Sequence, residues 1–218
     1  MKKVSLKLSS VVITIMLLIS FGSSTAQSVI IGEQVWMTQN LNVDKFRNGD
    51  PIPNAKTDEE WLNAGNNKQA AWCYYENKRS NGSIYGKLYN WYAVNDPRGL
   101  APDGWHVADN SDWAMLTNYL GGDSIASGKM KSTGNQYWGE GIFENKEASN
   151  VSGFSGLPCG FRFDHGLFAA KEVYGYWWSS NEYNNLEAVA HQLSRFDGKK
   201  IMKKNKKKAG FSVRCLKD

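Results

Sequence analysis

The side chains able to do chemistry in this chain are few and scattered. Three histidines, His106, His165 and His191, stand far apart in unlike contexts. His106 follows Trp105 just before a helical segment, where an imidazole serves as a hydrogen-bonded corner residue. His165 sits in the turn Asp164-His165-Gly166. No H-x-x-x-H or C-x-x-C spacing occurs, which leaves zinc without a ligand set. Cys73, Cys159 and Cys215 sit beside apolar residues, glycine or Arg214, with no neighbouring histidine to activate a thiolate. Phosphate-cradling glycine loops are missing too. The expectation is a protein without catalytic centre, metal or cofactor.

Aromatic rings offer a different chemistry. Trp138, Tyr183 and one of Trp177 or Trp178 lie among Asn, Gly and Glu, the company of exposed loops. A flat exposed ring can stack on a sugar face while Asn or Glu hydrogen-bonds the hydroxyls. In Tyr176-Trp177-Trp178-Ser179, successive strand side chains point to opposite faces, so one Trp faces the core and its neighbour is less buried. Against this stands the general rule that large aromatics belong to cores. The cluster Asn181-Glu182-Tyr183-Asn184-Asn185 has oxygens suited to Ca²⁺, but turn-forming Asn accounts for the same letters and is preferred. The candidate ligand-binding set is therefore Trp138, Trp177, Trp178, Asn181 and Tyr183.

A third feature is electrostatic. Lys199, Lys200, Lys203, Lys204, Lys206, Lys207 and Lys208 place seven lysines within ten residues. A solvated loop or hairpin is the plain reading. The sharper one is salt-sensitive contact with acidic polysaccharide, lipopolysaccharide phosphate or sulfated glycan.

The elements that would position these residues begin with a leader. Lys2, Lys3 and Lys7 precede the apolar run 11–21, and small residues follow to Ala26. This is the pattern of a secretory signal peptide over 1–26, too short in its apolar run to span a membrane. Its three lysines and absence of acids take the formal charge from +5 to +2 on removal, so the body of the protein is close to neutral and nucleic acid is not an expected partner. The remaining length suits one domain. In an oxidising compartment three cysteines suggest one disulfide and one buried thiol. Three pairings are open, and Cys73–Cys215 is preferred because it would tie the last strand to an early segment.

Val29, Ile31, Val35 and Met37 alternate around Gly32 as strand and turn. A short helix is predicted from Asp58 to Ala64, a strand over 70–75, a loop over 77–82 and a short helix over 88–94. The firmest helix runs from Asn110 to Leu120, with Asp109 as N-cap and Asp112 completing a carboxylate capping box. From Gly128 onward short strands, glycines and aromatic pairs are read, ending in the alternating segment Gly210–Leu216. Two short helices and many short irregular antiparallel strands describe an α+β single domain.

Several segments in this order resemble the Fibrobacter succinogenes major paralogous domain, a family of exported proteins of Bacteroidetes-type and Fibrobacter-type bacteria. They are Val35-Trp36-Met37-Thr38-Gln39-Asn40-Leu41-Asn42, Ala71-Trp72-Cys73-Tyr74-Tyr75, Tyr85-Gly86-Lys87-Leu88-Tyr89-Asn90-Trp91, Ala101-Pro102-Asp103-Gly104-Trp105-His106-Val107, Asp112-Trp113, Gly128-Lys129-Met130-Lys131, Ser152-Gly153-Phe154-Ser155, Tyr176-Trp177-Trp178-Ser179-Ser180 and Gly210-Phe211-Ser212-Val213-Arg214-Cys215. The resemblance covers about 29–218. It implies a fold similar to the C-type-lectin-like fold of formylglycine-generating enzymes and carries no established activity. Ala101 stands where many members have a cysteine, which removes the partner the family would supply for Cys215.

The function expected is a secreted or surface-exposed, non-catalytic module contacting carbohydrate or another cell-surface polymer. The alternative is a structural or protein-interaction domain of an envelope assembly without sugar affinity. No transmembrane segment is expected after signal removal, and the destination is the periplasm, outer surface or cell exterior.

Overall fold

Alternation at the amino-terminal end closes into a hairpin. The computed structural model describes residues 27–139 and 145–218, so the leader expected over 1–26 lies outside the described residues. Strands β1 (Ser28–Ile31) and β2 (Gln34–Met37) pair antiparallel. Gly32 turns between them at φ 64°, a left-handed conformation that only glycine takes without steric cost.

A long polar segment leads to α1 (Asp58–Asn66), β3 (Trp72–Cys73), α2 (Arg79–Tyr85), β4 (Leu88–Tyr89), α3 (Trp91–Val94) and β5 (Trp105–Val107). Three helices follow: α4 (Asn110–Tyr119), α5 (Asp123–Met130) and α6 (Asn135–Trp138). The remainder is strand: β6 (Cys159–Arg162), β7 (Phe168–Lys171), β8 (Tyr174–Glu182), β9 (Glu187–Ser194), β10 (Ile201–Lys206) and β11 (Cys215–Lys217). The result is a single α+β domain.

The helix at Asn110 starts where its chemistry requires. Asp109 accepts from the Asp112 amide at 2.9 Å while the Asp112 carboxylate accepts from the Asp109 amide at 2.9 Å, and two otherwise unpaired donors are satisfied. Thr57 and Glu60 repeat the device at α1. Six α-helices form among the described residues rather than two. The helix expected over 88–94 splits, because Asn90 leaves the helical conformation to cap α3, accepting from Ala93 at 3.1 Å. The stretch expected as a loop over 77–82 enters α2. The stretch read as strand from Gly128 belongs to α5, where Gly128 stands because the Glu147 carbonyl would lie 2.5 Å from any Cβ.

Strand order is β1-β2-β11-β5 in one sheet, β10-β9-β8-β6-β7 in a second, and β3-β4 in a small third. The last strand returns between β2 and β5, with Leu216 opposite both Trp36 and His106. All ladders are antiparallel except the single β6–β8 contact. Strand β8 is central to its sheet and covered on both faces, so its two adjacent tryptophans enter different hydrophobic clusters: Trp178 joins Phe211, Tyr89 and Tyr176, whereas Trp177 joins Trp36, Trp113, Trp138 and Phe154.

Buried cations tie these layers. Arg214, 1% exposed, donates to the carbonyls of Met37 and Phe154 and to Asn40 Oδ1. Burial lowers its pKa to about 9, which leaves it charged at neutral pH. Arg162 donates to the carbonyls of Gly166, Ala55 and Thr57 and to Asp58. Lys131 donates to those of Ser194 and Asp197. Each fixes irregular backbone whose carbonyls no ladder would satisfy.

Candidate functional site

Three of the five residues expected to face a ligand are core residues. Trp138, Trp177 and Trp178 are each 0% exposed. Trp138 lies in α6 and donates to Ser132 Oγ at 3.0 Å. Trp177 donates to Asn40 Oδ1 and Trp178 to the Tyr89 carbonyl, each at 2.8 Å. The expectation that one of the paired tryptophans would be less buried fails because both faces of β8 are covered. These rings cannot stack on a sugar.

Asn181 is half-buried and its Oδ1 is already engaged by the Asn110 amide at 2.6 Å and Ser179 Oγ at 2.9 Å. Asn184 turns the β8–β9 connection, its Oδ1 accepting from Leu186 and Glu187 amides. Tyr183 is 49% exposed, but the Lys204 ammonium sits 3.6 Å from its ring centroid and covers one face. The lysine run is not a free loop. It leads into, forms and leaves the edge strand β10: Lys200 just before the strand meets His191 and Asp123, Lys206 pairs with Asp164 at 2.8 Å, Lys207 pairs with Glu182, and Lys208 bonds Asn66. Charge along an edge strand also discourages pairing with another chain.

The cysteines do not pair. Cys73, Cys159 and Cys215 are buried free thiols. Cys73 packs beside Cys159 and Trp61 in one cluster, and Cys215 belongs to another, so the expected Cys73–Cys215 bridge is absent. Burial pushes the Cys73 and Cys215 thiols up to about 12 and raises that of Cys159, the opposite of activation.

The features of a binding site converge elsewhere, in a cleft of about 480 Å³ lined by Asp44, Asn54, Lys56, Trp72, Tyr74, Asn77 and Arg79. One wall is the polar segment before α1; the other is β3 and the start of α2. Trp72 and Tyr74 are two residues apart on extended chain and so share a side. Their rings meet edge-on at 5.1 Å, Trp72 anchored by its indole N–H on the Ile52 carbonyl at 2.8 Å. Trp72 is nearly buried and presents little but its rim, whereas Tyr74 is half-buried. Beneath them the Lys87 ammonium, donating to Asn42, lies 4.3 Å from the Trp72 ring centroid.

Backbone strain marks the rim. Glu76 and Asn77 take left-handed conformations, φ 54° and 55°, tolerable for Asn and costly for Glu. The turn is held because Asn77 Nδ2 donates across the cleft to the Lys56 carbonyl and Asn81 Nδ2 to the Tyr75 carbonyl at 2.8 Å. Charged ends at this cleft stay available: Asp44, Lys56 and Arg79 are exposed and make no ion pair among the described residues. Sequence reasoning passed over the site by reading 70–75 simply as a strand. The signal was the i, i+2 spacing of Trp72 and Tyr74 beside an Asn/Asp/Lys-rich stretch.

A larger trough of about 770 Å³ lies between the β1–β2 turn and α4, lined mainly by Ile31, Ala114, Met115 and Tyr119 with few polar groups. At the chain end the His106 ring is bracketed by Asp218 at 2.8 Å and Asp112 at 3.2 Å. Its partial burial disfavours the charged form, but the two carboxylates outweigh that and raise its pKa. No helix among the described residues is long and apolar enough to cross a membrane.

Comparison with curated proteins and with solved structures gives no match. The sequence matches the family described as the Fibrobacter succinogenes major domain over residues 29–217. That span takes in all but the first residue of β1 and every later strand and helix, including the Arg214–Asn40 tie, the paired tryptophans of β8 and the Trp72–Tyr74 wall, and the chain belongs to the Fibrobacter succinogenes major domain family.

Proposed function

We propose that the domain is an exported, non-catalytic carbohydrate-binding module that holds a saccharide in the Trp72–Tyr74 cleft. One observation carries this reading: a cleft of ligand size whose aromatic wall, extended by Arg79, stands opposite the polar side chains of Asp44, Asn54 and Lys56. A pyranose presents weakly positive C–H groups to the negative face or rim of an aromatic ring, and its hydroxyls need donors and acceptors close by. Volumes of about 300–1,000 Å³ are usual for small-molecule sites. The C-type-lectin-like assignment of the architecture and the export of the chain are carried over from the sequence resemblance and the leader pattern.

Retention of the leaderless protein on insoluble polysaccharides and on a glycan array, at low salt, tests the reading. Binding by the wild type that is lost in Tyr74→Ala supports it; failure to retain on any polysaccharide sinks it. A second reading, a protein-interaction domain of an envelope assembly, is favoured by the apolar trough beside α4, where Met115 and Tyr119 are 50% and 66% exposed. It requires a stoichiometric protein partner in a pull-down from envelope extracts, which a glycan binder does not.

A further inference from the structure

We infer that the cleft selects an acidic saccharide, the carboxylate of a uronic-acid unit being held by Lys56 and Arg79. The inference rests on the carbohydrate reading and adds the ligand's charge.

Two cations and one acid, Asp44, line the cleft, and two further acids close by in sequence are hydrogen-bonded elsewhere, Glu60 keeping a charge that also acts on Lys56. Glu60 Oε2 accepts the backbone amides of Lys56 at 2.7 Å and Thr57 at 2.9 Å, so it serves the α1 cap. Glu76 pairs with Lys78 at 2.9 Å. Elsewhere Arg98 is matched with Asp96 and Asp50, Lys206 with Asp164 and Lys207 with Glu182. Lys87 adds a third positive charge against the aromatic wall, its ammonium hydrogen-bonded to Asn42 oxygens, lying over the Trp72 and Tyr74 rings and balanced in part by Asp44.

Position is set as well as charge. Lys56 and Arg79 come from opposite walls, and the Asn77 side chain binds one wall to the other at the Lys56 carbonyl. The strained pair Glu76-Asn77 immediately precedes the segment that carries Arg79. Such preorganisation reduces the ordering cost of binding. Guanidinium and ammonium both make charge-assisted hydrogen bonds to carboxylate. Asp44 disfavours a dianion such as phosphate and accepts from hydroxyls, and the Tyr74 ring needs an apolar face; a uronate supplies all three, a bare anion does not.

Titration calorimetry of the leaderless protein with oligogalacturonate and with a neutral cello-oligosaccharide of equal length tests this. The acidic ligand should bind about tenfold or more tighter at low salt, the advantage shrinking as salt rises from about 50 to about 500 mM. Lys56→Gln and Arg79→Gln should each weaken the acidic ligand about tenfold more than the neutral one and so remove the preference, and Tyr74→Ala should weaken both ligands. Equal affinity for the two sugars overturns the inference and leaves the carbohydrate reading standing. Binding of neither overturns both. Competition by inorganic sulfate as strong as by the uronate oligomer also overturns it, since the site would then recognise charge alone.

Discussion

The ring of Tyr74 lies close against Gly82: a Cβ on that glycine would stand 2.1 Å from Tyr74 Cε1. An aromatic wall of the cleft is thus seated on the one residue type in α2 that leaves room for it. The absent side chain is a structural element in its own right.

Gly82→Ala should therefore fold, since alanine is favoured over glycine within a helix by up to about 1 kcal/mol, yet push the Tyr74 ring out of place. Saccharide affinity should fall about as far as in Tyr74→Ala. The double variant should show no further loss, because both changes act on one contact. Calorimetric affinities for the four proteins check this; additive losses would place Tyr74 outside the binding wall.

How much of this was open to sequence reasoning depends on what each residue's surroundings add. The α4 helix was legible because its cap is local: Asp109 and Asp112 are three residues apart. The β1–β2 hairpin was legible because alternation and Gly32 are adjacent. Burial of Trp177 and Trp178 was not, since alternation tells which face a side chain takes and not whether that face is covered; Trp36, Trp113, Trp138 and Phe154 cover the one, Tyr89 and Phe211 the other. The lysine run does enter the expected hairpin, β10 pairing antiparallel with β9, but its ion pairs were not legible for a related reason. Its partners Asp123, Asp164, Glu182 and Asn66 lie far off in sequence, and only the fold brings them to β10.

Asn40 and Arg214 are 174 residues apart in sequence and 2.8 Å apart in space, and Trp177 donates to the same Asn40 oxygen. Asn40→Leu would leave a buried guanidinium and an indole N–H short of an acceptor. A destabilisation of about 3–5 kcal/mol is expected, read as a lowered urea midpoint. Asn40→Asp should be milder, because a carboxylate still accepts all three bonds and its charge faces Arg214, which offsets the lost donation from Nδ2 to the Tyr85 carbonyl. Equal midpoints for Asn40→Leu and wild type would show that the tie contributes nothing.

Trp177→Ala and Trp178→Ala should cost about 3–5 kcal/mol of stability each, without specific loss of saccharide affinity in the fraction that stays folded. Unfolding curves paired with calorimetry distinguish this from a stacking role, in which stability would hold and binding would vanish.

All three cysteines should remain thiols. A chromogenic disulfide reagent should find no fast-reacting thiol in the native protein, since burial holds Cys73 and Cys215 near a pKa of 12. Three should react once denaturant is added. Recovery of a single thiol in denaturant would establish a disulfide and overturn the assignment of three free thiols.

Two histidines set opposing responses to acid. His191 is 2% exposed, stacked on Trp113 at 4.6 Å, with the Lys200 ammonium 3.1 Å from Nδ1 and Asp123 beyond it on Lys200. Burial, and then the Lys200 charge, hold its pKa well below the ordinary 6.5. The unfolded chain therefore takes up this proton first as pH drops through 6.5, and stability that is whole above that value declines below it, by up to about tenfold in the folding constant per pH unit. His106 runs the other way. Its folded pKa is raised, so its contribution is complete below 6.5 and is lost as pH climbs through the raised value; at 43% side-chain exposure it stays under about 1 kcal/mol. The net wild-type response between about pH 7.5 and 5.5 should be destabilising on acidification. His191→Phe keeps a ring against Trp113 and removes the proton, so its slope should flatten or change sign, whereas His106→Gln should steepen the acid loss. Urea midpoints across that range decide it: a His191→Phe slope equal to the wild type's would mean that the buried imidazole does not carry the acid sensitivity.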